Sequence, residues 1–392
     1  MIYLDNAATS FPKPESVHQA IESLSRSGAG NPGRGMHRFA QSSEEAIREA
    51  RRAVARLFGA RDPERVIFTL NATDALNMAI KGVLRPGDHA VTTDLEHNSV
   101  SRPLEGMAAR GAITVTRLRS DDEGRIDPAA LRAAMTPKTR LVAVVHASNV
   151  LGIAQDLAPL AEVAHAGGAR FLVDASQSAG VLPLDIEAVP IDLCAFTGHK
   201  ALLGPMGTGG LVVRKGVDVA AWREGGTGGD SSSPVQPEGY PYYLEGGTPN
   251  AVGLAGLGAG ARWVLEKGPA AIGAHERGLA ARFATALAAS AKITIAACPA
   301  EGMPDSAADG SPVRSDIGLV SFTVAGYQPA EVAAVLDETF GIAMRAGLHC
   351  APYVHRRRGL FPGGTVRASA GPFTTPAEID EAAAAVLEIA KS

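Results

Sequence analysis

The amino-acid sequence predicts an α/β protein: a large domain with a mostly parallel central sheet flanked by helices, and a smaller α+β domain. Three observations carry this reading. The chain has 392 residues, too many for one ordinary core. Short runs rich in Val, Ile and Leu recur through its first half and alternate with helix-like stretches, the pattern of strands buried on both faces. From Ile293 onward the pattern changes to a shorter mixed set of strands and helices.

The first strand is expected at Val66 to Thr69. His89 to Thr93, Ile113 to Leu118, Leu141 to His146, Phe171 to Asp174, Leu193 to Thr197 and Gly210 to Arg214 follow. Helical spacing places helices at Thr73 to Val83, Asp127 to Ala134 and Leu157 to Ala166, and the alternation is that of a doubly wound sheet. Gly225 to Gly247 breaks the rhythm: it is rich in Gly, Ser, Pro and Tyr, without apolar periodicity. A stretch of that length inside a compact domain points to a functional or interface role. An Ala-rich helical region runs from Ala251 to Ala289. The small domain is expected to hold a strand at Gly318 to Val324, a helix at Pro329 to Phe340 and a strand at Ile342 to Arg345. A loop, a strand at Thr365 to Ser369 and a helix from Pro376 to Ala390 complete it. The expected division gives 15–255 to the large domain and 1–14 with 256–392 to the small one.

Composition narrows the functional classes. With 46% hydrophobic and 20% charged residues, the chain has the balance of a soluble globular protein. Net charge is −4, and the one basic triplet, Arg356-Arg357-Arg358, reads as a solvated loop, so no nucleic-acid partner is expected. No apolar run is long enough for a membrane span. The N-terminus lacks a charged region followed by an apolar one, so no signal peptide is expected. Three cysteines, Cys194, Cys298 and Cys350, lie far apart and form neither a metal-binding spacing nor a disulfide framework. A reducing cytoplasm suits such a chain, and there a lone cysteine is either packed or reactive.

Three segments carry chemistry. Asn71-Ala72-Thr73 follows the first strand and opens a helix, whose free N–H groups and positive dipole end suit a phosphate; taken alone, a plain N-cap explains it equally well. Leu172-Val173-Asp174-Ala175-Ser176-Gln177 ends a buried strand on an aspartate, where open α/β sheets bind ligands. A carboxylate there can hold a pyridinium N–H, although a helix cap or surface loop is the plainer reading of the segment alone. Phe196-Thr197-Gly198-His199-Lys200 brings a lysine to a strand end before a Gly-rich stretch. A desolvated amine there can form an imine with an aldehyde, and Thr197 and His199 can bond a phosphate beside it. In order and spacing the three match one cofactor, pyridoxal 5'-phosphate: phosphate cup, pyridinium acid, imine lysine.

The chain resembles the class V aminotransferases of pyridoxal-phosphate fold type I, and within them the cysteine desulfurases. The resemblance runs through Tyr3-Leu4-Asp5-Asn6-Ala7-Ala8-Thr9, Asn31-Pro32, Glu96-His97-Asn98-Ser99, Ser148-Asn149-Val150-Leu151-Gly152, the Asp174 and Lys200 motifs, Gly247-Thr248-Pro249-Asn250 and Arg367-Ala368-Ser369, covering essentially the whole chain. It implies that Lys200 carries the cofactor, Asp174 pairs with its ring nitrogen, and Gln177 meets its 3-oxygen. Asn149 would lie near that edge, close to the substrate, and His97 would stack on the ring as an acid/base. Ala72, Thr73, Thr197 and His199 would hold the phosphate, with Thr248 reaching it from the other subunit of a homodimer. Arg367 would clamp the substrate carboxylate in a two-pronged pair, with Arg345 nearby. Thr197 stands where Ser is common in the family, and Leu348 where His is common.

Cys350 separates reactions that share this cofactor. Cys194 sits in an apolar strand and Cys298 has no polar company, so both read as packed residues. Cys350 lies in Arg345-Ala346-Gly347-Leu348-His349-Cys350-Ala351-Pro352, where Arg345, His349 and His355 are near in sequence and favour a thiolate. The segment resembles the persulfide-carrying loop of desulfurases. The resemblance implies that L-cysteine is the substrate, that Lys200 removes its Cα proton, and that Cys350 takes its sulfur as a persulfide while L-alanine leaves. A further thiol, small or on a protein, would collect the sulfur. A selenocysteine lyase needs nearly the same residues; an aminotransferase or C–S lyase needs Lys200, Asp174 and Arg367 but not Cys350. A non-catalytic scaffold would need none of them.

Overall fold

The computed structural model describes residues 1–33, 35–228, 232–296 and 315–391. The chain opens with β1 (Ile2–Tyr3), α1 (Glu15–Arg26) and α2 (Arg38–Leu57). α1 buries Val17 and Leu24, and α2 buries Ala40, Ile47, Ala50 and Val54. Their apolar stripes are thin and surrounded by Glu and Arg, so neither helix stands out in the sequence.

The alternating region follows: β2 (Val66–Thr69), α3 (Ala72–Val83), β3 (His89–Thr93), α4 (Asn98–Ala109), β4 (Thr114–Leu118), α5 (Pro128–Ala134), β5 (Thr139–Val145), α6 (Leu157–Ala166), β6 (Arg170–Asp174), β7 (Leu193–Thr197) and β8 (Gly209–Val213). These seven strands form one sheet in the order β2-β8-β7-β6-β5-β3-β4. The sheet is parallel except for β8, which runs antiparallel to both β2 and β7. Successive residues of one strand feed opposite cores, because side chains alternate faces. Val142 and Val144 pack in one apolar cluster, while Leu141 and Ala143 pack in another. The carboxyl ends of β2, β3, β5, β6 and β7 therefore meet at one edge.

Among its described residues, the segment between β8 and the next helix has no strand or helix, and it is tied down by Glu245. That carboxylate pairs with the buried Arg51 at 2.8 Å and accepts from the Phe68 N–H at 2.6 Å. The Ala-rich region is two helices, α7 (Ala251–Lys267) and α8 (Pro269–Leu287), divided at Gly268 with φ 84°. The expected division at 255/256 falls within α7. Ala251, Leu254, Leu257 and Ala261 of α7 belong to the large apolar core, while Leu279, Phe283 and Leu287 of α8 belong to the smaller one.

The small domain contains β9 (Ile293–Ile295), β10 (Leu319–Val324), α9 (Pro329–Phe340), β11 (Ile342–Ala343), β12 (Arg345–Gly347), α10 (Pro352–Arg357), β13 (Thr365–Ser369) and α11 (Pro376–Lys391). Its antiparallel sheet has the order β12-β13-β10-β9. The single strand expected at Ile342 to Arg345 is two, because the chain changes sheets at Met344: β11 pairs with β1, and β12 pairs with β13. The expected loop after it contains α10. Arg356 and Arg357 sit on that helix and Arg358 caps it. Arg357 and Arg358 bond Asp122, so part of the triplet is engaged within the molecule. Among the described residues, no helix is long and apolar enough to cross a membrane.

Candidate active site

The sheet edge and the small domain enclose a cavity of about 220 Å³. Lys200, Asp174, Gln177, Asn149, His97, Ala72, Thr73, Thr197, His199, Arg345, Arg367 and Cys350 all border it. Thr248 does not; it lies exposed in the segment before α7.

Lys200 reaches the cavity through a tight turn after β7. The Gly198 N–H donates to the Thr208 carbonyl, the Gly204 N–H to the Gly198 carbonyl, and the Ser10 N–H to the His199 carbonyl. A side chain at 198 would collide with Thr208, so only glycine allows this close approach. Burial lowers the Lys200 amine to about pKa 8, against an opposing pull from Asp174. A sizeable neutral fraction therefore exists near pH 8, the form that attacks a carbonyl.

Asp174 ends β6 and is buried. Its Oδ1 accepts from the Ser176 N–H at 3.0 Å and the Ser176 hydroxyl at 2.5 Å. Gln177 donates from Nε2 to the Ala7 carbonyl at 3.0 Å, joining the N-terminal segment to this edge. His97 caps α4, its Nδ1 accepting from the Ser99 N–H at 3.0 Å. That contact leaves the ring proton on Nε2. Burial holds the imidazole down at about pKa 4, so it is neutral at pH 7. The Ser99 hydroxyl lies 2.8 Å from His97 Nδ1 and 2.7 Å from Thr73 Oγ1, linking the starts of α3 and α4.

One end of the cavity has spare hydrogen-bonding capacity. Thr197 Oγ1 and His199 Nδ1 are buried without partners among the described residues. The first turn of α3 lies beside them, with donors that its own helix cannot satisfy. Buried polar atoms without partners are costly, and a phosphate would satisfy these. Lys200 and Asp174 stand further along the same cavity, so the residues present fit pyridoxal 5'-phosphate.

Arg367 enters from β13, opposite Arg345 on β12. It is almost fully buried. Nη2 donates to Asp5 Oδ1 at 3.1 Å and Nη1 to the Asn149 carbonyl at 3.1 Å, while Nε has no partner among the described residues. Asn149 donates from Nδ2 to the His349 carbonyl at 2.6 Å.

Cys350 is exposed, and Cys194 is buried with its thiol pushed up by desolvation. Cys298 lies outside the described residues. His349 and Cys350 both have left-handed backbone, φ 48° and 58°, an unfavourable conformation held from outside. Asn149 holds the His349 carbonyl, and the Asn98 N–H donates to the Cys350 carbonyl at 2.7 Å. The two histidines expected to favour a thiolate do not carry charge. His349 Nε2 contacts the Thr365 carbonyl at 3.1 Å, His355 Nδ1 contacts the Ala351 carbonyl at 2.8 Å, and burial lowers both imidazoles. They peg the loop in place, and Arg345 alone of the three brings a cation to the cavity. Ser99, Ser176 and Asp5 are partners that motif reading passes over. Asp174-x-Ser176 was the readable one, since an aspartate commonly bonds the backbone two residues on.

Fold and cavity together are those of a pyridoxal-phosphate enzyme of the open α/β kind. The chain belongs to the aminotransferase class-V family, whose model matches residues 2–382. The cofactor of that family is pyridoxal 5'-phosphate. A probable cysteine desulfurase of Methanothermobacter thermautotrophicus is 34% identical over 99% of this chain and 94% of its own. The cysteine desulfurase CsdA of Escherichia coli is 32% identical over 97% and 91%. A crystal structure of that enzyme superposes with a TM-score of 0.86 at 30% identity, covering 99% of this chain and 94% of the other. The apo cysteine desulfurase of Thermococcus onnurineus gives 0.85 at 31% identity, covering 100% and 94%.

Proposed function

We propose that this chain is a pyridoxal 5'-phosphate-dependent cysteine desulfurase that moves the sulfur of L-cysteine onto Cys350 as a persulfide and releases L-alanine. The observation that carries the reading is the placement of Cys350 on the same cavity as Lys200, Asp174 and Arg367. Relatives that bear the name cysteine desulfurase along nearly the full chain support it.

The cofactor, when bound, withdraws electrons from the substrate's Cα. Lys200 would hold it and then take the substrate's Cα proton. Asp174 would keep the ring nitrogen protonated, and Gln177 would donate to the 3-oxygen. Ala72, Thr73, Thr197 and His199 would receive the phosphate. His97 would serve beside the ring as a neutral imidazole able to pass a proton. Arg367 binds the substrate carboxylate, with Arg345 beside it and Asn149 at the same edge. The Cys350 thiolate attacks the substrate sulfur: an S–S bond forms as the substrate's C–S bond breaks, and the carbon left behind gains a proton. Cysteine and a thiol thus become alanine and a persulfide without outside oxidant. We further read the enzyme as a cytoplasmic homodimer, with Thr248 of one subunit completing the phosphate site of the other. A reducing compartment keeps Cys350 as a thiol.

Incubation with L-cysteine, followed by mass spectrometry of the Cys350 peptide and an alanine assay, tests the proposal. A gain of one sulfur atom on Cys350 matched by alanine is expected. Full alanine production by Cys350→Ala would instead point to a C–S lyase.

A further inference from the structure

Cys350 borders a second concavity. On its outer side lies an open groove of about 410 Å³, formed by the start of α4 and by α10. Among the described residues, Cys350 is the one that lines both this groove and the cofactor cavity. The left-handed backbone at His349 and Cys350, pinned by Asn149 and Asn98, fixes the sulfur at the seam between them. A persulfide formed from the inside is therefore within reach of the groove without rearrangement of the loop.

The groove has a definite charge. Its one acid, Glu105, is already engaged: it accepts from the Tyr353 hydroxyl at 3.1 Å and pairs with Arg117 at 2.8 Å. Arg117 in turn lies 3.8 Å over the Tyr353 ring, which stiffens that wall. Arg102 and Arg356 also line the groove and are exposed. Among the described residues neither has a carboxylate partner; Arg356 rests on Phe361 at 4.4 Å. Two guanidinium groups without counter-charge beside a reactive sulfur favour an anion, above all one with carboxylates. The volume is that of a small-ligand site.

Resting on the desulfurase reading, we propose that this groove binds the sulfur acceptor, and that the acceptor is a low-molecular-weight thiol bearing one or more carboxylates. Its thiolate attacks the outer sulfur of the Cys350 persulfide. The new S–S bond forms with the thiolate's electron pair, and the pair of the old S–S bond returns to Cys350 as thiolate. The acceptor leaves as its own persulfide, with no net oxidation.

The test uses the holoenzyme loaded with L-cysteine and freed of excess substrate. Persulfide loss from Cys350 is followed with mercaptosuccinate and with uncharged 2-mercaptoethanol, in the wild type and in Arg102→Gln, Arg356→Gln and the double variant. Taking the ratio of the two rates removes the intrinsic reactivity of each thiol. The double variant is expected to lower that ratio about tenfold, the effect of two exposed charge contacts, while the first-turnover burst of alanine stays unchanged. In the wild type, added salt should slow mercaptosuccinate and leave 2-mercaptoethanol unaffected. A ratio that is the same in wild type and double variant overturns the inference, as does a persulfide that no small thiol removes. Failure to form any persulfide on Cys350 would instead overturn the desulfurase reading beneath it.

Discussion

Arg367 is a charge held almost entirely out of water, which is tolerable only because Asp5 and the Asn149 carbonyl take two of its nitrogens. Its Nε is left over inside the cavity. Arg367→Lys keeps the charge but loses the planar fork, and we expect kcat/KM for L-cysteine to fall on the order of 10²-fold, mainly through KM. Lys200→Ala removes the amine proposed to form the imine. Purified wild type should be yellow, with a band near ~420 nm that the variant lacks; an unchanged spectrum in the variant would place the cofactor elsewhere. At this scale the sequence is most readable where chemistry is contiguous. Thr197-Gly198-His199-Lys200 and Asp174 announce themselves, because a strand end and a reactive side chain adjoin. Ser99 bridging Thr73 and His97 is invisible, since α3 and α4 come together only in space. His349 and His355 mislead for the opposite reason: closeness in sequence to Cys350 does not reveal that both rings turn into the protein.

Among the elements, the strands are legible because burial on both faces leaves unbroken apolar runs, and β2, β3 and β7 begin and end where the sequence predicts. Elements of two or three residues, β1, β11 and β12, carry no period to read; their identity comes from their partners. α1 and α2 pass unnoticed because one thin stripe suffices to cover the core. The break between α7 and α8 is a subtler case. Gly268 has φ 84°, and a side chain there would meet nothing. Gly268→Ala therefore tests backbone conformation alone, and we expect a loss of about 1–3 kcal/mol, read as a lower denaturant midpoint. No change would mean that the turn relaxes freely.

For the whole molecule, buried ionisable groups set the pH range of stability. Burial raises the carboxyls of Glu96 and Glu276 to about 8. Such groups keep a proton in the folded state that the unfolded chain has lost, so their contribution is full below about pH 4.5 and declines as pH rises towards 8. Burial also lowers His97, His146 and His199 to about 4. Their contribution is full above the ordinary histidine range and is lost as pH falls through 4. Stability should therefore peak near pH 6.5 and fall towards pH 8, by at most about 1.4 kcal/mol per pH unit for each carboxyl. Glu276→Gln should flatten that alkaline decline, measured as urea midpoints at pH 6.5 and 8.5; equal slopes in both proteins would refute the assignment. The sequence reading groups residues 1–14 with the far domain, but it does not reveal the pairings that join them. β1 pairs with β11, and Asp5 reaches Arg367 across 362 residues of chain. That closure has a temporal meaning. During synthesis β1 must wait for Ile342 and Ala343 to leave the ribosome before it finds its place. The large sheet can form earlier, but the Arg367–Asp5 pair is assembled only once β13 has emerged. A nascent or truncated chain lacking β13 therefore has no Arg367 for its proposed part in binding an amino acid, even where Lys200 already stands at the edge of a folded sheet.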